Sequence, residues 1–367
     1  MHSLLSSTAK TKNVHQKIKY VLGQVGGRVL GAVSPARQAK LPRVYNLNAH
    51  VFSRRFASTH YGIMIPDLPE PFRYMSYASV IGDVGADITK TSKKISMLLA
   101  EEIATFVHGT ALSETKDAFK VYAISEQLKF QQQPFQIQYA DDSSLTQEAD
   151  HYHLVTHMNG LQVDLILKPT DAITWFSYGP FYQHFSVLMH YEGVIIQQGI
   201  TRQVKGLFTL EHWKAVTLSM LPQKFLLNDF TLPMTSFTYQ VINLNDQEQL
   251  VLAFVGFLGQ PAYTAISYRH VNGTSIQYDD AHFEVTTLQE QAEITPDGFA
   301  MQVPKFFTWR AKHHGQWIVN IVAEVDTAYC YGLAAGYVTS YKWQGEFNQK
   351  IAEGRGYLEY IDRRIAQ

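Results

Sequence analysis

The feature that most constrains the fold is a series of short β-like runs, separated by turns, that begins at about Phe72. Alternating apolar and polar residues, rich in β-branched and aromatic types, are typical of strands. The clearest hairpin lies at residues 151–169, where Asn159-Gly160 can take the positive φ angles of a tight type I′ turn. A second is predicted at residues 262–278 around Asn272-Gly273. The pattern predicts a mostly β protein built from antiparallel sandwiches or barrels.

The composition fits a folded chain with a large core. Of the 367 residues, 46% are hydrophobic and 17% are charged, so the chain has the apolar surface that disordered chains lack. This length suffices for two ordinary domains or one large one. A single cysteine, Cys330, excludes an internal disulfide and a zinc–cysteine framework. The net charge of -1 argues against nucleic acid as a partner, and no apolar run is long enough for a transmembrane helix.

Charge is unevenly distributed along the chain. Ten basic residues precede the first acidic residue, Asp67, and the remainder carries 21 basic and 32 acidic residues. Between Val14 and Val33, apolar residues recur at steps of three and four, which is the spacing of an amphipathic helix with a basic face. Four glycines weaken this helix. We therefore expect residues 1–60 to form a basic arm that is partly helical.

Three interpretations of this arm are open. It lies on an anionic membrane surface through residues 1–55, it packs on the body of the protein or on a partner, or it is a cleaved organelle-targeting peptide. A secretory signal is not expected, because no apolar run of the needed length follows the first basic residues. We expect a cytoplasmic protein, with peripheral membrane contact as the alternative that the basic arm opens.

Two stretches about 150 residues apart resemble each other. The first is Tyr191-Glu192-Gly193 with residues 206–213, and the second is residues 341–345 with residues 354–360. Each is a strand ending in an aromatic residue and glycine, a short connection, and a glycine-led strand that closes on a glutamate. The repeat predicts two similar domains. We place them at residues 61–213 and 214–367.

The closing strand of each repeat carries a glutamate among large apolar neighbours, Glu211 in the first and Glu359 in the second. Alternation puts Glu211 on one face of its strand with Trp213, and His212 on the other face. A buried carboxylate needs a hydrogen-bonded partner, or its pKa rises. Two interpretations stay open: a structural clamp through a backbone or arginine contact, and a general acid or ligand anchor.

Five segments in this order and spacing resemble a known group of proteins: residues 163–169, 204–212, 268–273, 341–345 and 354–360. The chain is similar, over about residues 72–362, to the two-domain calycin proteins that include carotenoid 1,2-hydratases, AttH-like proteins and Diels-Alderase-like cyclases. The resemblance implies two lipocalin-like antiparallel β-barrel domains packed together, with an apolar ligand inside one barrel or between them. Members of the group include cofactor-free hydratases, pericyclic cyclases and non-enzymatic lipid-linked proteins, so the fold alone does not choose a function.

The resemblance also suggests a site. In the hydratases an Asp-His-like pair closes the first domain, and the matching positions here are Glu211 and His212, which keep a carboxylate and an imidazole. Tyrosines precede both closing hairpins, and a cavity lined by them suits a large apolar ligand with a few polar groups. Core packing accounts for most of these tyrosines. The run His151-Tyr152-His153 invites a metal site, but no further residues complete a ligand set.

Two functions follow from this sequence. The favoured one is binding or carriage of a hydrophobic small molecule (a lipid, isoprenoid or sterol-like compound) in a calycin cavity, because no complete catalytic constellation is visible. Its candidate ligand-binding residues are Tyr178, Tyr182, Trp213, Tyr341, Tyr357 and Glu359. The alternative is a cofactor-independent hydratase, isomerase or cyclase with Glu211 and His212 as an acid–base pair. Neither function calls for a cofactor or a metal.

Overall fold

The computed structural model describes residues 31–50, 53, 56, 58–82, 98, 100–216, 234–257 and 260–364. Regular structure in this part of the chain is almost entirely antiparallel β-strand, which confirms the predicted fold class. The helices described are single turns: α1 (Pro35–Gln38), α2 (Thr115–Ala118), α3 (Ile124–Gln127) and a 3₁₀ turn (Ala100–Glu102).

The first sheet curls into a nearly closed barrel of eleven strands. They are β1 (Ser58–Leu68), β2 (Arg73–Ile81), β3 (Ile103–Thr110), β4 (Phe119–Ala123), β5 (Leu128–Gln132), β6 (Phe135–Tyr139), β7 (Ser143–Glu148), β8 (His151–Met158), β9 (Leu161–Tyr178), β10 (Tyr182–Gln197) and β11 (Ile200–Ala215). Their order is β4-β3-β2-β1-β11-β10-β9-β8-β7-β6-β5. The long strands β9, β10 and β11 lie in the middle of this order, beside β1.

The second sheet forms a similar barrel. Its region contains β12 (Met234–Asn243), β13 (Glu248–Phe257), β14 (Gln260–His270), β15 (Ser275–Tyr278), β16 (Asp280–Leu288), β17 (Glu293–Ile294), β18 (Ala300–Met301), β19 (Pro304–His313), β20 (Gln316–Val325), β21 (Cys330–Leu333), β22 (Gly336–Phe347) and β23 (Lys350–Asp362). The order is β15-β14-β13-β12-β23-β22-β20-β19-β16, with β21 beside β22, while β17 and β18 pair separately. Two lipocalin-like barrels are thus confirmed; the domain boundary at 213/214 stays a prediction.

The turns follow local sequence chemistry. Asn159 (φ 48°) and Gly160 (φ 84°) both adopt positive φ between β8 and β9, as the type I′ prediction requires. At the second predicted hairpin, a longer loop joins β14 to β15, and Gly273 has positive φ (92°) there. The segment 92–106 has helical spacing, but its residues from Ile103 onward form strand β3. These residues form a strand despite their helical spacing, because β3 pairs with β2 in the sheet.

Residues 31–50, here called the strap, cross one end of the first barrel. Val33 joins β9 through a backbone hydrogen bond of 3.0 Å. The indole of Trp175 donates to the Pro42 carbonyl oxygen at 2.8 Å, and the Tyr61 hydroxyl donates to that of Leu47 at 2.6 Å. In the strap, Val33 and Leu47 are buried. The described part of the predicted basic arm therefore packs on the body, while most of its predicted helix lies outside the described residues.

Candidate functional site

Glu211 and His212 lie on opposite faces of β11. The His212 ring points into the first barrel and stacks on Phe185, with ring centroids 5.5 Å apart. Glu211 shares the other face with Thr209, whose hydroxyl reaches Gln249 of the second sheet at 2.8 Å. Strand alternation therefore separates the two side chains, as predicted, and the catalytic role of Glu211 and His212 stays a prediction.

The imidazole that does contact Glu211 belongs to His184, on the neighbouring strand β10. His184 Nε2 lies in close hydrogen-bond contact with Glu211 Oε1, while Oε2 of the same carboxyl has no hydrogen-bond partner among the described residues. The residue is 1% exposed. Burial raises the pKa of Glu211 well above its usual range, and the charge of Arg269 opposes this only in part. Burial therefore favours the protonated form of Glu211.

His184 connects this acid to a tyrosine. Burial lowers the pKa of His184 to about 3, so its ring is neutral at pH 7 and carries one N–H. If protonated Glu211 donates to Nε2, the Nδ1–H group donates to the Tyr182 hydroxyl oxygen, 3.0 Å away. Tyr182 is only half-buried. The three side chains thus form a hydrogen-bonded chain from the hydroxyl of a half-buried tyrosine to a buried carboxyl.

Arg269 of β14 places a buried positive charge between the barrels. Its guanidinium donates to the hydroxyls of Ser186 (2.9 Å) and Thr209 (2.6 Å) on the first barrel, and also contacts the Gln249 side-chain oxygen. Burial lowers the pKa of Arg269 to about 10, so it stays charged at pH 7. One side chain of the second sheet therefore binds two strands of the first.

Glu359 of β23 completes this region. It is 1% exposed, and the Tyr357 hydroxyl donates to its Oε1 at 3.1 Å. Burial raises the pKa of Glu359 well above its usual range, and the neighbouring Glu211 raises it further. We name this group the inter-barrel cluster: Tyr182, His184, Glu211, Arg269, Tyr357 and Glu359.

A separate cavity of about 130 Å³ lies where the strap meets the first barrel. Four aromatic rings contribute to its lining: Trp175 and Tyr178 stand edge to face at 4.9 Å, and Tyr45 packs on Phe185 at 5.2 Å. The remaining lining residues are Pro42, Val44, Asn46, Gln183, His212 and Lys214. The cavity is thus shared between barrel strands and the strap.

The predicted site residues fall into three places. Tyr182, Tyr357, Glu359 and Glu211 meet in the inter-barrel cluster, and Trp213 lies beside it, 6.0 Å from the Tyr182 ring. Tyr178 and His212 line the cavity under the strap instead. Tyr341 joins neither group, because it packs inside the second barrel against Phe307, at 5.0 Å between rings.

Sequence reasoning missed His184 and Arg269. His184 precedes Glu211 by a full hairpin, so only the register of β10 and β11 brings the two together. Arg269 lies in a strand whose burial does not alternate regularly, so the sequence does not tell a buried arginine there from a solvent-facing one. One signal in the sequence pointed to such a residue. A buried glutamate needs a partner, and the structural-clamp interpretation of the closing strands named an arginine as one possible partner.

Other candidate chemistry has less support. Within the described part of the chain, no group of three metal-ligating side chains is arranged to hold a metal ion. Cys330 is buried, and burial raises the pKa of its thiol to about 11, which makes it a poor nucleophile. No helix among the described residues has the length and apolar character that a membrane crossing requires.

Comparison with known proteins extends these observations. The crystal structure of a Nitrosomonas europaea protein provisionally designated AttH matches with a TM-score of 0.59 at 13% identity, over 92% of this chain and 100% of the other. Crystal structures of CghA, with Sch210972 and without it, match at 6% identity and a TM-score of 0.46, over 92% of this chain and 98% and 97% of theirs. No curated protein matches. The model of a family of unknown function (DUF6670) matches residues 78–367.

The AttH match confirms the expected resemblance at the level of fold. At 13% identity it shows a shared two-barrel architecture and nothing about the ligand.

Proposed function

Because the chain belongs to DUF6670, a family of unknown function, we propose its function from the site: the protein binds a hydrophobic small molecule at the mouth of the first barrel. The observation that carries this proposal is the cavity under the strap, which has four aromatic rings in its lining. Concave sites with apolar walls and a few polar groups are the usual form of small-molecule sites. Asn46 and Gln183 supply polar groups here.

The cavity volume limits what can enter. An apolar cavity of about 150 Å³ takes up benzene, and this cavity measures about 130 Å³. One aromatic ring or a short chain therefore fits inside, and the rest of a lipid, isoprenoid or sterol-like molecule lies outside, along the strap. Elsewhere in the first barrel, the rings of Phe106 and Tyr139 stack face to face at 4.8 Å.

Binding of 2-naphthol, a neutral two-ring probe, tests this proposal by isothermal titration calorimetry. We expect saturable binding at one site. Gln183→Trp fills the cavity and should weaken binding at least tenfold. The matched control is Gln136→Trp, at a half-buried glutamine of the same barrel that does not line the cavity. Absence of saturable binding, or equal losses in both variants, would refute the proposal.

Peripheral membrane contact through residues 1–55 of a cytoplasmic protein is a further part of the proposal, supported by the acid-free basic leader. Because the strap is built into the first barrel, the informative deletion removes residues 1–30 only. We expect this deletion to abolish co-sedimentation with vesicles of phosphatidylglycerol. Unchanged sedimentation would show that the leader does not mediate membrane contact.

A second candidate function, cofactor-independent acid catalysis as in a hydratase, isomerase or cyclase, is supported by one observation. Glu211 carries a buried oxygen without a hydrogen-bond partner, and His184 and Tyr182 link the same carboxyl toward the surface. A neutral buried acid can protonate an apolar substrate. In this candidate mechanism Glu211 is the acid without His212 as its partner, and His184 hydrogen-bonds the carboxyl instead.

Deuterium uptake measures this activity without knowledge of the natural substrate. An acyclic isoprenoid alkene is incubated with the protein in D₂O, and mass spectrometry follows incorporation at carbon. We expect Glu211→Gln to abolish incorporation, while His212→Gln does not. Incorporation that survives Glu211→Gln would exclude Glu211 as the acid.

A further inference from the structure

The cavity under the strap has an uneven charge. One cationic side chain, Lys214, lines it, and none of its lining residues is acidic. The Lys214 ammonium donates to His50 Nε2 at 3.2 Å and lies 4.9 Å from the centre of the Phe56 ring. A positive charge therefore borders a pocket that has four aromatic rings in its lining.

A second positive charge contacts the backbone of one lining residue, although Arg37 itself does not line the cavity. The Arg37 guanidinium donates to the carbonyl oxygen of Tyr178 at 2.7 Å, and Tyr178 is a lining residue. Lys40 and Arg43 are also exposed on the strap, and residues 31–50 contain no acidic residue. Asp171 lies near Gly273 together with Arg43 and is not a lining residue of the cavity.

The histidines near the cavity do not supply this charge. Burial lowers the pKa of His212 to about 3, and burial with the Lys214 charge lowers that of His50 to about 4. Both rings are neutral at pH 7, and His50 accepts the Lys214 hydrogen bond. The positive charge at the cavity therefore comes from the Lys214 side chain.

We propose that the ligand of this cavity is an anionic amphiphile: an apolar ring or short chain inserted among Trp175, Tyr178 and Phe185, with a carboxylate or phosphate group at Lys214 and Arg37. This inference rests on the proposed binding function and adds the chemical class of the ligand. Charge-assisted hydrogen bonds from these cations would fix the head group. The aromatic side chains would contact the apolar ring or chain of the ligand. The side-chain amides of Asn46 and Gln183 offer additional donors.

A matched pair of probes separates this inference from the binding function itself. 2-Naphthol and 2-naphthoate share the same two rings, and at pH 7 only the second is charged. By calorimetry at low salt we expect 2-naphthoate to bind at least tenfold more tightly, with the advantage shrinking as salt is added. Equal affinities would overturn the anionic class and leave the binding function standing. Failure of both probes to bind would overturn both.

Substitution at the cation sharpens the test. Lys214→Gln should remove the tenfold advantage of 2-naphthoate while leaving the affinity for 2-naphthol unchanged, which also shows that the variant is folded. The matched control is Lys312→Gln, at a lysine of the second barrel that lies over the Trp317 ring at 4.5 Å, as Lys214 lies near Phe56. An advantage that survives Lys214→Gln and Arg37→Gln together would overturn the assignment of the head-group site.

The anionic group could belong to a free acid or to a membrane lipid. Vesicles of phosphatidylglycerol are therefore added to the protein loaded with 2-naphthoate. Displacement of the probe supports a lipid head group as the natural source, and retention supports a free acid; vesicles of phosphatidylcholine, which should not displace it, control for simple partitioning. Equal displacement by both vesicle types would argue against an anion-selective site.

Discussion

The two hairpins that close the barrels, β10–β11 and β22–β23, share a register but differ in chemistry. In each, a tyrosine pairs with a glycine, Tyr191 with Gly206 and Tyr341 with Gly356. Both turn through two residues with positive φ. Glu211, however, follows its glycine by five residues and Glu359 by three. Both offsets are odd, so both carboxyls leave the barrel interior and face the other barrel.

This offset gives the two glutamates different partners. Glu211 contacts the imidazole of His184 and lies in the field of Arg269. Glu359 has only a hydroxyl, that of Tyr357, on its carboxyl oxygen among the described residues. One repeated hairpin thus delivers two acids to one interface, where Glu211 contacts a side chain of the neighbouring strand and Glu359 contacts one of its own strand.

The largest effect is expected from Arg269→Leu. The change leaves Ser186, Thr209 and Gln249 without their buried donor, and breaking such networks costs about 3–5 kcal/mol in the free energy of unfolding. Urea denaturation followed by tryptophan fluorescence measures it.

The control is Arg355→Leu, which breaks ion pairs with Glu70 and Asp326 at the partly exposed rim between the barrels. This substitution should lower the free energy of unfolding by about 1 kcal/mol, and by less at high salt. Similar losses for both arginines would contradict the special weight given to the inter-barrel cluster.

An intermediate effect separates the two tyrosine–glycine pairs. A Cβ at position 356 would lie 2.6 Å from Cε2 of Tyr341, whereas one at position 206 would lie 3.1 Å from Cε1 of Tyr191. We expect Gly356→Ala to cost about 2–3 kcal/mol and Gly206→Ala about 1 kcal/mol, since overpacking forces rings off their preferred rotamers. Thermal unfolding followed by circular dichroism compares the stability of the two variants. A larger loss for Gly206→Ala would show that the Tyr341–Gly356 pair accommodates the added methyl group more easily.

The smallest effect concerns pH. Because the pKa values of Glu211 and Glu359 are raised above the usual 4.5, the native state holds more protons than the unfolded state above that pH, and stability falls as pH rises. The amide of glutamine does not titrate in this range, so Glu211→Gln and Glu359→Gln each remove one source of the fall in stability with pH. Each variant should therefore gain about 1 kcal/mol relative to the native sequence between pH 5 and pH 8, measured by urea denaturation.

Glu248→Gln serves as the opposite control for these two variants. The Tyr268 hydroxyl contacts Glu248 and lowers the pKa of its carboxyl, so the charged form stabilises the native state above the unfolded pKa. Substitution there should lose a little stability toward pH 8. A gain in the same direction as at positions 211 and 359 would contradict the assigned pKa directions.

Much of the architecture could be predicted from the sequence. Turn residues such as Asn159-Gly160 encode local backbone angles, and the spacing of the tyrosines and glycines revealed the duplicated hairpin. Alternation already placed His212 opposite to Glu211, although the resemblance to the hydratases favoured their pairing. The partners of Glu211 could not be predicted, because contacts of His184 and Arg269 depend on strand register and on how two sheets face each other.

The way in which the strap is attached has a consequence for variation at the cavity. Two of its anchors are main-chain oxygens, those of Pro42 and Leu47, which accept hydrogen bonds from Trp175 and Tyr61, so these two hydrogen bonds do not depend on the strap's own side chains. Positions such as Val44 and Asn46 are exposed on their outer side and still line the cavity. Substitution at these positions could therefore retune ligand preference while the barrel beneath stays unchanged.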